Sequence, residues 1–190
     1  MVAAVVSLIL LGGIVQIFIS NKQAYRVQDQ LGLLQENGRY AAETLARSLR
    51  VADHWGGVEA GAVRGNPTVN GPGSCNQAWI NNVAMGVQGF EGASAIGGVT
   101  GLPSGCVASA DYVPNSDIVV IRYADPDNPV TDANLTAGGN STRPFVRAAV
   151  GLKAQLMRGS DTLPADIPTQ AGTYNFPYAV EAYFVRPCSN

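Results

Sequence analysis

The sequence predicts an α+β protein in which one long N-terminal α-helix packs on a mainly antiparallel β-sheet head with long loops. Three observations carry this expectation. Met1–Ser20 (MVAAVVSLILLGGIVQIFIS) holds no charged residue, the first charge being Lys22. It runs without a break signal into Asn21–Val51, which is polar yet keeps apolar residues at helical spacing. Beyond about Asp53 the composition changes, and all 11 prolines and most of the 22 glycines lie there, as in a chain of strands, turns and loops. The expected division is a helix over 1–52, with 1–20 as its apolar half and 21–52 as its amphipathic half, and a head over 53–190.

An uncharged run of this length, at ~1.5 Å per residue, spans the ~30 Å hydrocarbon core of a bilayer. Val5, Leu8, Ile9, Leu11, Ile14, Ile17 and Phe18 make it apolar all round, the condition for burial on every side. The Gly12-Gly13 pair costs about 1 kcal/mol per residue in a water-exposed helix, whereas in a membrane helix it permits close packing. In the second half Val27, Leu31, Leu34, Leu45 and Leu49 line one face, which predicts packing against the head. Glu43 and Arg47 form an i, i+4 pair, and Asp53-His54-Trp55-Gly56-Gly57 supplies glycines for a C-terminal cap. Unbroken, this helix is roughly 75 Å long. No basic residue precedes the apolar run and no small-residue cleavage site ends it, so it does not read as a cleaved signal peptide. A plain signal anchor tethering a domain is the simpler alternative.

Within the head, 56–83 reads as loop, with Trp79-Ile80 as an apolar anchor. Val83–Phe90 holds a short strand broken by Gly86 and Gly89. Ile118–Tyr123 is β-branched and nearly all apolar, which predicts a central strand buried on both faces. Asp125–Ser141 is a polar excursion, Phe145–Met157 is ambiguous between helix and strand, and Tyr178–Arg186 alternates as a second strand.

The candidates for chemistry are few. Charged residues make up 14% of the chain and the net charge is −2, so no polyanion-binding surface and no direct nucleic-acid contact are expected. His54 is the only histidine and cannot build a metal cluster alone. Asp125, Asp127 and Asp132 place oxygens at intervals a calcium ion would accept, but the loop lacks the glycine and closing glutamate of an EF-hand, and a solvated turn is the expectation. Asn134-Leu135-Thr136 and Asn140-Ser141-Thr142 match the N-glycosylation pattern and read as an exposed loop. No nucleophile–base set, phosphate-cradling loop or carboxylate pair is convincing; neither an enzyme nor a cofactor is expected. In an exported head, Cys75 and Cys106 are the natural disulfide pair, leaving Cys188 with a missing partner, an intermolecular bond or a free thiol.

The segment Gly12–Trp55 resembles the start of PilW-type minor pilins of bacterial type IV pili, most specifically in Gln35-Glu36-Asn37-Gly38-Arg39-Tyr40 and Leu45-Ala46-Arg47-Ser48-Leu49-Arg50. The likeness continues in patches through Gly86–Gly92, Ser116–Arg122 and Tyr183–Pro187. Two departures accompany it. The basic leader, the glycine of the peptidase site and the acidic residue used in assembly are not in this sequence, and the strands expected after Cys188 are missing, so truncation at both ends is expected. The resemblance implies a type IV pilin-like fold and a structural role in initiating or capping a pilus, and so in twitching motility, adhesion or DNA uptake. It also implies that the helix lies in the inner membrane, with a periplasmic head, before assembly. Afterwards it packs against other pilin subunits in an extracellular pilus, and Cys188 pairs with a cysteine further along. Alternatives are a J-type pseudopilin of a type II secretion system, a major filament subunit, or a membrane-anchored periplasmic binding domain.

Overall fold

A computed structural model describes residues 2–69, 75 and 77–187, with side chains for 12–69, 75 and 79–187. It is an α+β chain that divides into two compact units, Met1–Ala46 and Arg47–Asn190. The first is helix throughout its described length. It belongs to α1 (Val2–Val51), 50 residues of unbroken helix whose last turn lies in the second unit. Glu43 pairs with Arg39 at 3.4 Å, in place of the expected pairing with Arg47. Both side chains are well exposed, so the pair contributes little.

The second unit is built on one six-stranded mixed sheet. Its strands are β1 (Val63–Arg64), β2 (Val87–Phe90), β3 (Ile118–Ala124), β4 (Pro144–Ala149), β5 (Lys153–Arg158) and β6 (Thr173–Tyr183), in the order β1-β5-β4-β6-β3-β2. Only β1 and β5 are parallel. A four-residue helix, α2 (Gln77–Ile80), carries the Trp79-Ile80 anchor, with Ile80 in the core and Trp79 half-buried against it.

The 11-residue β6 is the strand that holds the sheet together. Its first half pairs with β4, from Ala149↔Thr173 to Phe145↔Pro177, and its second half pairs with β3, from Ala124↔Tyr178 to Val119↔Tyr183. The exchange of partners falls at Pro177, which has no N–H to contribute to a ladder. Its carbonyl instead receives Asp125 N at 2.8 Å. This strand begins five residues before the expected Tyr178 because a proline is tolerated where the pairing changes hands, and it ends at Tyr183, before the expected Arg186. The expected central strand, β3, lies second from the edge of the sheet, although Ile118, Val120, Ile121 and Ala124 are fully buried. Covering segments, and not position in the sheet, bury its two faces.

The ambiguous Phe145–Met157 resolves into the β4–β5 hairpin. Its turn is Val150-Gly151-Leu152, with Gly151 at φ +73° and Leu152 N bonded to Ala149 O. Apolar residues on both sides of the glycine hide this turn from a reading by composition. One core cluster gathers Trp55, Ile80, Leu156 and Phe176, and a second gathers Phe90, Leu102, Tyr112 and Ile118. Cys75 and Cys106 are disulfide-bonded, with Cα atoms 4.8 Å apart, and tie together two loops that have little regular structure of their own.

Candidate functional site

The surface that stands out is α1 itself. Ile14, Val15, Ile17, Phe18 and Ile19 are all exposed, Phe18 at 68%, over one broad face of the helix, with Gly13, Gln16 and Ser20 on the remaining side. Further along, Val27, Leu31 and Leu34 expose more than half of their surface, and Leu49 is also exposed. Only Leu45 of the expected packing face is half-buried. Helical spacing identifies a face that gains from cover, but it does not say which molecule supplies that cover. At Gly12 and Gly13, and again at Gly32 and Gly38, a Cβ would meet nothing within 4 Å. Among the described residues no helix is long and apolar enough to cross a membrane, and the side chains of Val5, Leu8, Ile9 and Leu11 lie outside the described residues.

The end of α1 is anchored closely. The left-handed residue that stops the helix is Asp53, at φ +62°, and not one of the expected glycines, Gly56 and Gly57, which turn the chain afterwards. Asp53 bears this conformation because its short carboxylate has a local use, accepting Trp55 Nε1 at 2.8 Å. Asp53 N then donates to Arg122 O, and Ala124 N donates to His54 O. Asp53 and His54 thus continue the edge of β3 beyond Val87, the first residue of β2. Gly86, just before β2, accepts Arg122 N at 2.7 Å, and a Cβ there would stand 2.4 Å from that of Asp53. Trp55 is 1% exposed and stacks on Tyr178, while His54 meets Phe176 edge-on, an ordinary boundary packing.

A polar relay secures the last turn on its other side. Ser48 Oγ lies 2.7 Å from Tyr183 Oη, and Glu181 accepts from both Tyr183 and Tyr123 at 2.9 Å. Burial acts to raise the Glu181 pKa, but the hydroxyl hydrogen bonds prevail and hold it below its usual value. Burial, together with the bond to Glu181, pushes Tyr123 up to about 12.

In the acidic loop Asp125 and Asp132 both accept hydrogen bonds from the protein itself. Asp125 caps its own turn, accepting Asp127 N and Asn128 Nδ2. Asp132 turns instead toward the fully buried Arg147, whose Nη1 it meets at 2.5 Å, and it also accepts from Asn175 and Thr169. Among the described residues no group of three or more His, Cys, Asp or Glu is placed to hold a metal. Arg147 and Arg122 are fully buried, which composition and spacing do not predict. The available signal was an arginine inside each of two otherwise apolar strands, Ile118–Ala124 and Phe145–Ala149.

No family model, no curated protein and no solved structure matches this chain. Cys188, the third cysteine, lies outside the described residues.

Proposed function

We propose that this protein is a filament subunit, a PilW-type minor pilin whose helix packs among those of other subunits in a type IV pilus. The observation that supports this most is the exposure of Ile14, Val15, Ile17, Phe18 and Ile19 over a broad apolar face of α1. Each such side chain gains about 1.5–3 kcal/mol on full burial, so the uncovered helix favours an apolar environment strongly. A lipid bilayer before assembly and neighbouring helices after it both provide one, and a helix apolar all round can exchange the first for the second at small cost. The disulfide between Cys75 and Cys106 suits a head that works outside the cytoplasm. The role is structural: the head is fixed to the end of α1 by the Asp53–β3 ladder, and no reaction is assigned to it.

The test uses the native bacterium. Phe18→Asp, or a charge at Val5 or Ile9, should remove the protein from sheared surface filaments, with the Cys75–Cys106 disulfide still formed in the cell-bound protein. Normal incorporation of these variants sinks the assembly reading. Loss of protein secretion with pili intact transfers the subunit to a type II secretion pseudopilus.

A further inference from the structure

Arg122 and Arg147 are both fully buried on strands of the head, and their surroundings differ sharply. Arg147 uses its whole guanidinium: Nε donates to Ile167 O, while Nη1 and Nη2 reach Asp132, Asn175 and Thr169. Arg122 makes one long hydrogen bond, from Nη1 to Met85 O at 3.3 Å, and its Nε and Nη2 have no partner among the described residues. No carboxylate lies within ion-pair distance of it among those residues. Its charge meets the face of Trp79, with Cζ 4.9 Å from the ring centroid, and the Nε1–H of that indole is also buried and unpartnered. Burial lowers the Arg122 pKa, yet a guanidinium keeps its proton in proteins. An interior cation with unused donors is costly, and a ring face offsets a small part of that cost.

Neither Asn70–Val83 nor Val87–Phe90 contains an Asp or Glu, and the carboxylate of the adjoining Asp53 is engaged by Trp55 Nε1. Two other buried, unpartnered atoms belong to amides, Gln88 Oε1 and Asn81 Oδ1. Gln88 pairs with Val120, two positions from Arg122 on β3, and so shares its face of the sheet. An amide rotated end for end offers an NH2 in place of an oxygen, so Gln88 can turn a donor toward a negative charge.

We infer that Arg122 holds one small inorganic anion, chloride in ordinary buffers, received by Nε–H and Nη2–H beside the indole N–H of Trp79. Full burial favours a monatomic ion over phosphate or sulfate. Entry requires a local opening of α2, a four-residue helix whose Trp79 is only half-buried. The site is independent of the filament reading and stands whether or not that reading does.

The test is thermal unfolding of the full chain in detergent at constant ionic strength, with gluconate replaced by chloride. An anion bound only to the folded state raises the midpoint as its concentration passes the dissociation constant. The expected result is a rise of several degrees in chloride that is lost in Arg122→Met and weakened severalfold in Trp79→Phe, which keeps the aromatic packing. Crystals grown in bromide should show an anomalous scatterer within hydrogen-bond reach of Arg122 Nε and Nη2. Equal midpoints in gluconate and chloride for the native chain, or a water at that position in bromide crystals, overturn the site. The Trp79→Phe and bromide measurements decide the matter even where Arg122→Met does not fold.

Discussion

Asp132 shows how much a single carboxylate controls in this head. It is the only carboxylate paired with the fully buried Arg147 among the described residues, and the pairing is two-pronged, with Nη1 and Nη2 on its two oxygens. Replacing a buried pair by apolar groups is often neutral, but removing one partner leaves an unpaired charge and costs about 3–5 kcal/mol. Asp132→Asn is therefore expected to destabilise the head by that amount in urea unfolding, and the double change Arg147→Met, Asp132→Leu by clearly less. The same contact sets a pH dependence. The hydrogen bond from Arg147 is the largest cause that holds the Asp132 pKa at about 2, below its ordinary 3.8. A depressed carboxylate contributes its full stabilisation above the unfolded value and loses it as pH falls through the folded one. The native head should thus lose stability between about pH 4 and pH 2, and Asp132→Asn should flatten that limb of the urea-midpoint profile. A profile unchanged by the substitution refutes the assignment.

Among the elements, the junction of α1 with β3 depends on one glycine. Gly86 has no left-handed torsion, so its requirement is space: a Cβ would lie 2.4 Å from Asp53 Cβ and 2.6 Å from Asp53 N. Backbone cannot yield as a side-chain tip does, and overpacking of this kind typically costs 1–3 kcal/mol. Gly86→Ala is expected at or above the upper end of that range, with loss of amide protection at Asp53, which donates to Arg122 O. Gly89→Ala, three residues on and inside the edge strand β2, meets nothing within 4 Å and should leave both the unfolding midpoint and the protection unchanged. Hydrogen exchange on the two variants checks this. The elements also show what a linear reading can find. The long helix is legible because twenty uncharged residues followed by helical spacing have few other solutions, and β3 is legible because its β-branched run matches no helix pattern. The β4–β5 hairpin is not, since its turn places Val150 and Leu152 on either side of Gly151 and so carries no polar signal. Nor is the cap at Asp53, which takes a torsion usually left to glycine because Trp55 donates to its side chain. The Arg147 network is invisible for another reason: its members, from Val130 to Asn175, meet only after three strands have paired.

For the whole molecule, the two units differ in how they relate to solvent. Every core cluster is made of residues after Val51, while residues 12–43 of the helix are exposed throughout. Stability that depends on buried area must then reside almost entirely in the second unit. Removing residues 1–43 is expected to leave the unfolding free energy of the head, from urea titration, within about 0.5 kcal/mol of the full chain, the range typical of changes at exposed positions. Solution behaviour should change far more. The full chain carries Ile14, Val15, Ile17, Phe18 and Ile19 uncovered, a contiguous apolar surface of the kind that marks an interaction site, and should self-associate or require detergent, whereas the shortened chain should sediment as a monomer without it. These outcomes separate two roles for α1. If the shortened head unfolds at a clearly lower midpoint, the helix is an internal support and its apolar face belongs to this chain. If the midpoint holds and association disappears, that face is free for other molecules, which a subunit packed by its helix requires.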